Sequence, residues 1–206
     1  MTIKNFNNNQ MAQNTYLYYD ETSKEAALID AGCSDADVSA IVAFSSENNL
    51  TITRILITHG HYDHIISANK LRELTGAEIC CHADEKQVLE NTELSLSALH
   101  NSPFTVTPDI LFNDGDVFNI AQAQIKTIHT PGHTIGGVCY YDEKNGKLFT
   151  GDTLFKENIG RTDLPTGNHR TLIDSVNKKL LTLPNETEVY PGHGPSTTVG
   201  HEHQVA

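Results

Sequence analysis

The residues best suited to chemistry lie in Thr58-His59-Gly60-His61-Tyr62-Asp63-His64. Three imidazoles and a carboxylate within six residues suit zinc or a similar borderline metal. His59 and His61 are two apart, so in an extended segment their rings project to one side. Asp63 and His64 come where the chain turns into a predicted helix, and can face a neighbouring position. The spacing differs from the helical His-Glu-x-x-His pair, whose two ligands share a face at i and i+4. Three more ligand-capable residues stand in tight turns after strand-like runs. They are His133 in Thr130-Pro131-Gly132-His133-Thr134, Asp152 in Thr150-Gly151-Asp152-Thr153 and His193 in Tyr190-Pro191-Gly192-His193-Gly194. Each alone reads as a loop residue. Together with the first cluster they make five histidines and two aspartates, too many for one tetrahedral zinc and suited to two metals sharing one carboxylate.

Such a pair does hydrolytic chemistry. A carboxylate between two divalent ions lets a water sit between them, and coordination lowers its pKa toward neutrality, giving a hydroxide nucleophile at pH 7. One metal can polarise a carbonyl and stabilise the developing oxyanion. No Ser-His or Cys-His nucleophile pair is then required. Asp63 and Asp152 are the catalytic candidates. Thr58, Thr134 and Thr153 adjoin the ligand candidates. They read equally as hydrogen-bond supports for the ligands and as ordinary strand-end or turn residues.

The elements that must position these residues alternate in type. Thr15–Tyr19 and Ala26–Asp30 are predicted as paired strands with Asp20–Lys24 as their turn. Ser34–Asn48 reads as a helix that Ser34 or Asp35 can cap. The β-branched run Thr51–Thr58 is a predicted buried strand. Ile65–Leu74 reads as a helix ending at Gly76, Ala77–Cys81 as a strand and Ala83–Glu90 as a helix. Asn5–Asn14 reads as a loop, and Asn91–Asp114 carries no clear pattern. The second half pairs Asp116–Ile120 with Ala123–His129, and Gly137–Tyr141 with Lys147–Thr150 around the turn Asn145-Gly146. The amphipathic segment His169–Leu181 is a predicted helix, and Glu188–Tyr190 a last short strand. Two sheets with helices outside would bury these faces.

Composition narrows the function. At 206 residues a single domain spanning 1–206 is expected, and 38% hydrophobic with 19% charged residues is a globular balance. The net charge of −12 disfavours nucleic acid and anionic membrane surfaces as partners. No apolar run approaches the roughly 20 residues that span a bilayer. The start MTIKNFNNNQMAQ has no apolar core of a signal peptide, so a cytoplasmic location is expected. Cys33, Cys80, Cys81 and Cys139 form no CxxC pair and read as reduced thiols; adjacent Cys80 and Cys81 should point to opposite faces of a strand.

The ordered set THGHYDH, PGHT, GDT and PGHG resembles the metallo-β-lactamase superfamily, and within it the glyoxalase II-like hydrolases. The resemblance runs from Leu28-Ile29-Asp30-Ala31-Gly32 to His193. It implies an α/β fold, a four-layer αββα sandwich with two metals at one edge of its sheets. It implies His59, His61 and His133 for the first metal, Asp63, His64 and His193 for the second, and Asp152 as the bridge. The implied cofactors are two divalent metal ions, Zn2+ first, with Fe or Mn as alternatives. The implied partner is a small-molecule thioester or ester of S-acyl-glutathione type. The basic position in the loop after Asp152 is Arg161, implied to bind a substrate carboxylate; a structural ion pair with Asp163 is the competing reading.

The chain departs from full-length glyoxalase II in two respects. Gly194 and Pro195 follow His193 where that family has an acid and a tyrosine, and no helical domain follows before Ala206. Conversely, β-lactamases proper lack the bridging aspartate that Asp152 supplies. The alternative enzyme is a persulfide dioxygenase with one iron on the His59, His133 and Asp152 equivalents. A metal-storing or interaction module is the non-enzymatic reading. His82, His100, His129, His169, His201 and His203 are expected not to bind metal.

Overall fold

The structure is a computed structural model that describes residues 1–7 and 12–205. Its first sheet is built in chain order from β1 (Thr2–Phe6), β2 (Thr15–Tyr19), β3 (Glu25–Ile29), β4 (Thr51–Leu56), β5 (Glu78–His82) and β6 (Ile110–Phe112). β1, β2 and β3 pair antiparallel; β3 to β6 pair parallel. The second half supplies β7 (Val117–Ile120), β8 (Ala123–His129), β9 (Val138–Asp142) and β10 (Lys147–Gly151). A small hairpin, β11 (Leu154–Phe155) with β12 (Asn158–Ile159), follows, and then β13 (Glu188–Pro191) and β14 (Thr197–Thr198). The second sheet runs β14-β13-β10-β9-β8-β7, antiparallel except where β13 lies parallel to β10.

Alternating side chains divide the interior into three apolar layers. Tyr16, Tyr18, Ala27, Ile29 and Cys80 point from the first sheet at Tyr140, Phe149 and Ile125 of the second, and form the central layer. Leu17, Tyr19, Leu28 and Cys81 point the other way, against Val38 and Ile41 of α1 (Asp35–Glu47) and residues of the next helices. Those are α2 (Tyr62–Ile65), α3 (Ala68–Thr75) and α4 (Lys86–Leu89). Cys139, Tyr141 and Leu148 leave the second sheet outward, against Val176, Leu180 and Val199. That cover is α5 (His169–Ser175), a π-helical turn over Val176–Leu180, and α6 (Val199–Val205). The layering is α-β-β-α, as expected. Cys80 and Cys81 take opposite faces, and all four cysteines are buried free thiols.

Several expectations are corrected. The predicted loop Asn5–Asn14 begins inside β1, because buried Phe6 packs edge-on to Phe44 and the strand pairs with β2; residues 8–11 of that stretch lie outside the described residues. The predicted helix Ile65–Leu74 is two helices. Ala31 interrupts it, giving its N–H to His64 O and taking that of Ser67. Ala83–Glu90 opens with a 3₁₀ turn over Ala83–Glu85 before α4. The patternless stretch Asn91–Asp114 holds β6 and a 3₁₀ turn at Ser97–Leu99. The polar C-terminal stretch is α6, fixed by buried Val199 and by Glu202, which accepts from Glu157 N. Among the described residues no helix is long and apolar enough to cross a membrane.

Phe149 is the hub of the central layer, 5.6 Å from the Tyr16 ring, 5.3 Å from Tyr18 and 5.4 Å from Tyr190. Phe149→Ala should lower stability by about 3–5 kcal/mol in urea unfolding, and a loss under about 1 kcal/mol would contradict this packing.

Candidate metal centre

The seven candidate ligands meet where strands of both sheets end. His59 and His61 follow β4, with Asp63 and His64 in the first turn of α2. His133 lies between β8 and β9, Asp152 just after β10 and His193 just after β13. His59, His61, His64 and His133 are buried.

Two positions are distinct. At the first, His61 Nδ1 lies 2.9 Å from His133 Nε2, and His133 Nε2 lies 3.2 Å from His59 Nε2. Nitrogens at the corners of a tetrahedron around zinc lie about 3.3 Å apart, given Zn–N distances of ~2.0–2.1 Å. The rings stand nearly edge-on to one another, at 90°, 78° and 89°, so their planes can intersect at a common point. At the second position, His64 Nε2 is 3.2 Å from His193 Nε2, and His193 Nε2 is 3.3 Å from Asp63 Oδ2. Asp152 reaches both positions. Its Oδ1 is 3.2 Å from His64 Nε2, and its Oδ2 is 3.6 Å from His133 Nε2 and 3.7 Å from His193 Nε2.

The protons are placed from outside. His133 Nδ1 donates to Arg161 O at 2.7 Å, which leaves Nε2 as a lone pair facing inward. His64 Nδ1 donates to Asp30 Oδ2 at 2.8 Å, which leaves Nε2 as the nitrogen facing inward. Thr58 Oγ1 donates to Asp30 Oδ2 at 2.8 Å and so can accept from His59 Nδ1, 3.2 Å away. Inward lone pairs on His59 Nε2 and His133 Nε2 only 3.2 Å apart repel unless a cation lies between them. Asp152 Oδ1 is buried with no hydrogen-bond partner, a state that costs about 1–3 kcal/mol. This donor set fits divalent metal ions.

The charges agree. Burial, reinforced by the neighbouring His133, pushes His61 down to about 3, and burial lowers His59 and His133 as well. Burial opposes the His64 proton too, but Asp152, Asp30 and Asp63 outweigh it and raise that pKa. Asp152 is held low against its own burial by the imidazole of His64. The first position is thus three neutral imidazoles, and the second is rich in carboxylate.

A further cluster, His82, Asp84 and His129, also gathers ligand atoms. Its two rings are stacked 3.9 Å apart at 10°. Imidazole lone pairs lie in the ring plane, so two parallel rings cannot aim at one ion. His82 and His129 therefore remain outside the candidate set.

Three supports escaped the motif reading. Asp30 takes His64 Nδ1–H, Thr58 N–H and the Thr58 hydroxyl from a left-handed backbone at φ +58. Its signal was an aspartate closing a strand just ahead of Ala31-Gly32. This settles Thr58 as a support rather than a mere strand-end residue. Asn14 grips the turn that carries His193, donating its N–H to Gly192 O and its Nδ2 to Pro191 O and Gly194 O. Glu85, the third, is fully buried beside the first position. Thr134 gives its hydroxyl to Glu85, and Thr153 pairs with Thr130. Arg161 supports His133 with its carbonyl, while its guanidinium forms an exposed two-pronged pair with Asp163 at 2.7 and 2.8 Å.

Gly192 has no room for a side chain: a Cβ there would stand 2.4 Å from Asp152 Oδ1 and 2.5 Å from His64 Cε1. Gly192→Ala should leave far-UV circular dichroism near wild type. It should weaken metal binding at least about tenfold in a chelator competition, the scale of losses when ligand supports are disturbed. Unchanged affinity would contradict the placement of Asp152 and His64 at one centre.

A family model described as the metallo-beta-lactamase superfamily matches residues 8–193. Hydroxyacylglutathione hydrolase GloC of Haemophilus influenzae is 34% identical, over 92% of this chain and 89% of that protein. The solved structure of BLEG-1 B3 metallo-beta-lactamase superposes with a TM-score of 0.90 at 35% identity, covering 98% of this chain and 97% of that one. TTHA1623, solved in a di-iron-bound form, superposes with a TM-score of 0.84 at 30% identity, covering 100% and 98%. The αββα layers, the clustered ligand residues and a family match across nearly the whole chain agree: the chain belongs to the metallo-β-lactamase superfamily.

Proposed function

We propose that this protein is a binuclear metal-dependent hydrolase of a small thioester or ester, with an S-acyl-glutathione as the substrate type. The observation that carries the reading is Asp152, whose two oxygens lie within 3.2–3.7 Å of candidate ligands from both positions. The likeness to GloC supports the substrate class, and the di-iron form of TTHA1623 supports two metals. Zn2+ suits the nitrogen-rich first position, with Fe or Mn as alternatives.

Two divalent ions held there would supply a water activated at neutral pH and a Lewis acid for the substrate carbonyl. The chain's own groups do the rest. His59, His61 and His133 offer neutral nitrogens without a proton-transfer step of their own. Asp152 carries negative charge to the midpoint of the cluster, where it would offset the repulsion between two cations. Asp63 brings a second carboxylate to the His64–His193 side. Arg161 is a cation one residue beyond Gly160, at the edge of the site. Binding a substrate carboxylate there means exchanging Asp163 for it.

The likeness to BLEG-1 favours a second reading, β-lactam hydrolysis, which needs the same activated water. The single-iron dioxygenase reading uses His59, His133 and Asp152, and leaves His61, Asp63, His64 and His193 without a role. One panel separates the three: thiol release from S-D-lactoylglutathione, opening of a cephalosporin, and oxygen uptake with glutathione persulfide. Thiol release alone is expected; oxygen uptake with one iron per chain would overturn the proposal.

Elemental analysis should give about two metals per chain. His59→Ala and His64→Ala should each lose one metal, and not the same one. Asp152→Asn keeps the shape but removes the charge, and should lower turnover by roughly two to three orders of magnitude, the scale of losing a preorganised electrostatic group. Near-normal turnover with two metals bound would remove Asp152 from the bridging role.

A further inference from the structure

Glu85 has no part in the chemistry above, yet it is a completely buried carboxylate at the edge of the first metal position. Its Oε1 accepts Gly60 N–H at 2.7 Å. Its Oε2 accepts the Thr134 hydroxyl at 3.0 Å and Gly136 N–H at 2.8 Å. Gly60 sits between His59 and His61, and Thr134 follows His133. One side chain therefore joins the two loops that carry all three imidazoles. Among the described residues no cation pairs with it: its partners are three neutral donors, and burial pushes its carboxyl up to about 7.

The glycines on those loops give a second, independent sign that both are built to dock here. A Cβ on Gly136 would stand 2.2 Å from Glu85 N and 2.6 Å from its Cα. A Cβ on Gly60 would stand 2.9 Å from both Val88 and Leu89. Both loops thus press their backbones onto the single segment Ala83–Leu89. An apolar residue at 85 would fill the space but leave two buried N–H groups and a hydroxyl without acceptors, a loss that a tight fit cannot restore.

We propose that Glu85 is a positioning residue for the first metal, a strap whose two oxygens fix the spacing of the His59–His61 loop relative to the His133 loop. The proposal rests on the metal-centre reading. Its geometry makes glutamine a poor substitute despite equal shape. An amide has one accepting oxygen, and its NH2 must face either Gly60 N–H or Gly136 N–H, donor against donor.

The test is a Co2+ titration of the metal-free full-length protein, followed by visible absorbance. His133→Ala and His193→Ala serve as references that mark the binding step belonging to each position. Glu85→Gln should weaken the step missing in His133→Ala by at least about tenfold and leave the step missing in His193→Ala unchanged. Thr134→Val removes one of the three bonds without touching the carboxylate. It should weaken the same step by a few-fold, and Thr134→Ser, which keeps the hydroxyl, should restore it. A Glu85→Gln protein with both steps at wild-type affinity, or with both weakened equally, overturns the proposal. If Glu85→Gln does not fold, an unchanged first step in Thr134→Val overturns it instead. Wild-type protein that takes up no Co2+ would remove the metal reading itself, whereas normal uptake by Glu85→Gln removes only the strap.

Discussion

Three of the five imidazoles at the candidate centre have their outer nitrogens held by the protein, so the inward nitrogen is the one left to meet an ion. His133 is committed by the Arg161 carbonyl, His64 by Asp30, and His59 through the Thr58 hydroxyl, which Asp30 also holds. A backbone carbonyl and a carboxylate can only accept, so the outer nitrogen carries a proton in each case. Asp30 consequently orders residues of both metal positions at once. It does so from a left-handed backbone that few residues other than glycine adopt, and that aspartate tolerates better than most.

Neither sheet carries the candidate centre alone. β4 and α2 bring four candidate ligands from the first sheet, and turns after β8, β10 and β13 bring three from the second. The sheets must close on each other before the two sets meet. The central tyrosine and phenylalanine layer drives that closure, and it is stitched next to the site by Val138 N–H to Thr58 O and by the Tyr140 hydroxyl to Ile57 O. Asn14 completes the closure from the far side, holding the His193 turn of the second sheet with a residue just ahead of β2. Misplacing any one strand end by the width of an atom would separate nitrogens that now lie about 3 Å apart.

The clustering of the candidate ligands was legible because their patterns are local: His-x-His after a β-branched strand, and Pro-Gly-His or Gly-Asp in turns, each announces itself within a few residues. The layer order was legible from strand and helix periods, since Tyr16 and Tyr18 against Leu17 and Tyr19 alternate as a two-faced strand must. What stayed hidden depends on partners distant in sequence. Asn14 looks like one more polar loop residue until Gly192 stands beside it. Glu85 shared a helical face with Val88 and Leu89, an acid on an apolar stripe, and that was the one available sign of its burial. The break after Ile65 comes from Ala31, more than thirty residues upstream in sequence, so no local pattern could announce it. The C-terminal helix was missed because His201, Glu202 and His203 are polar in composition, while the fold uses Glu202 as a buried acceptor and pairs His201 with Glu157.

The central claim is that one cluster holds two ions bridged by Asp152, and the most direct measurement is anomalous diffraction at the metal absorption edge from crystals of freshly purified protein. Two peaks are predicted, one among His59, His61 and His133 and one among Asp63, His64 and His193, with the Asp152 carboxylate between them. A single peak on His59, His133 and Asp152, or a peak at the His82–Asp84–His129 stack with none at the strand ends, would contradict it.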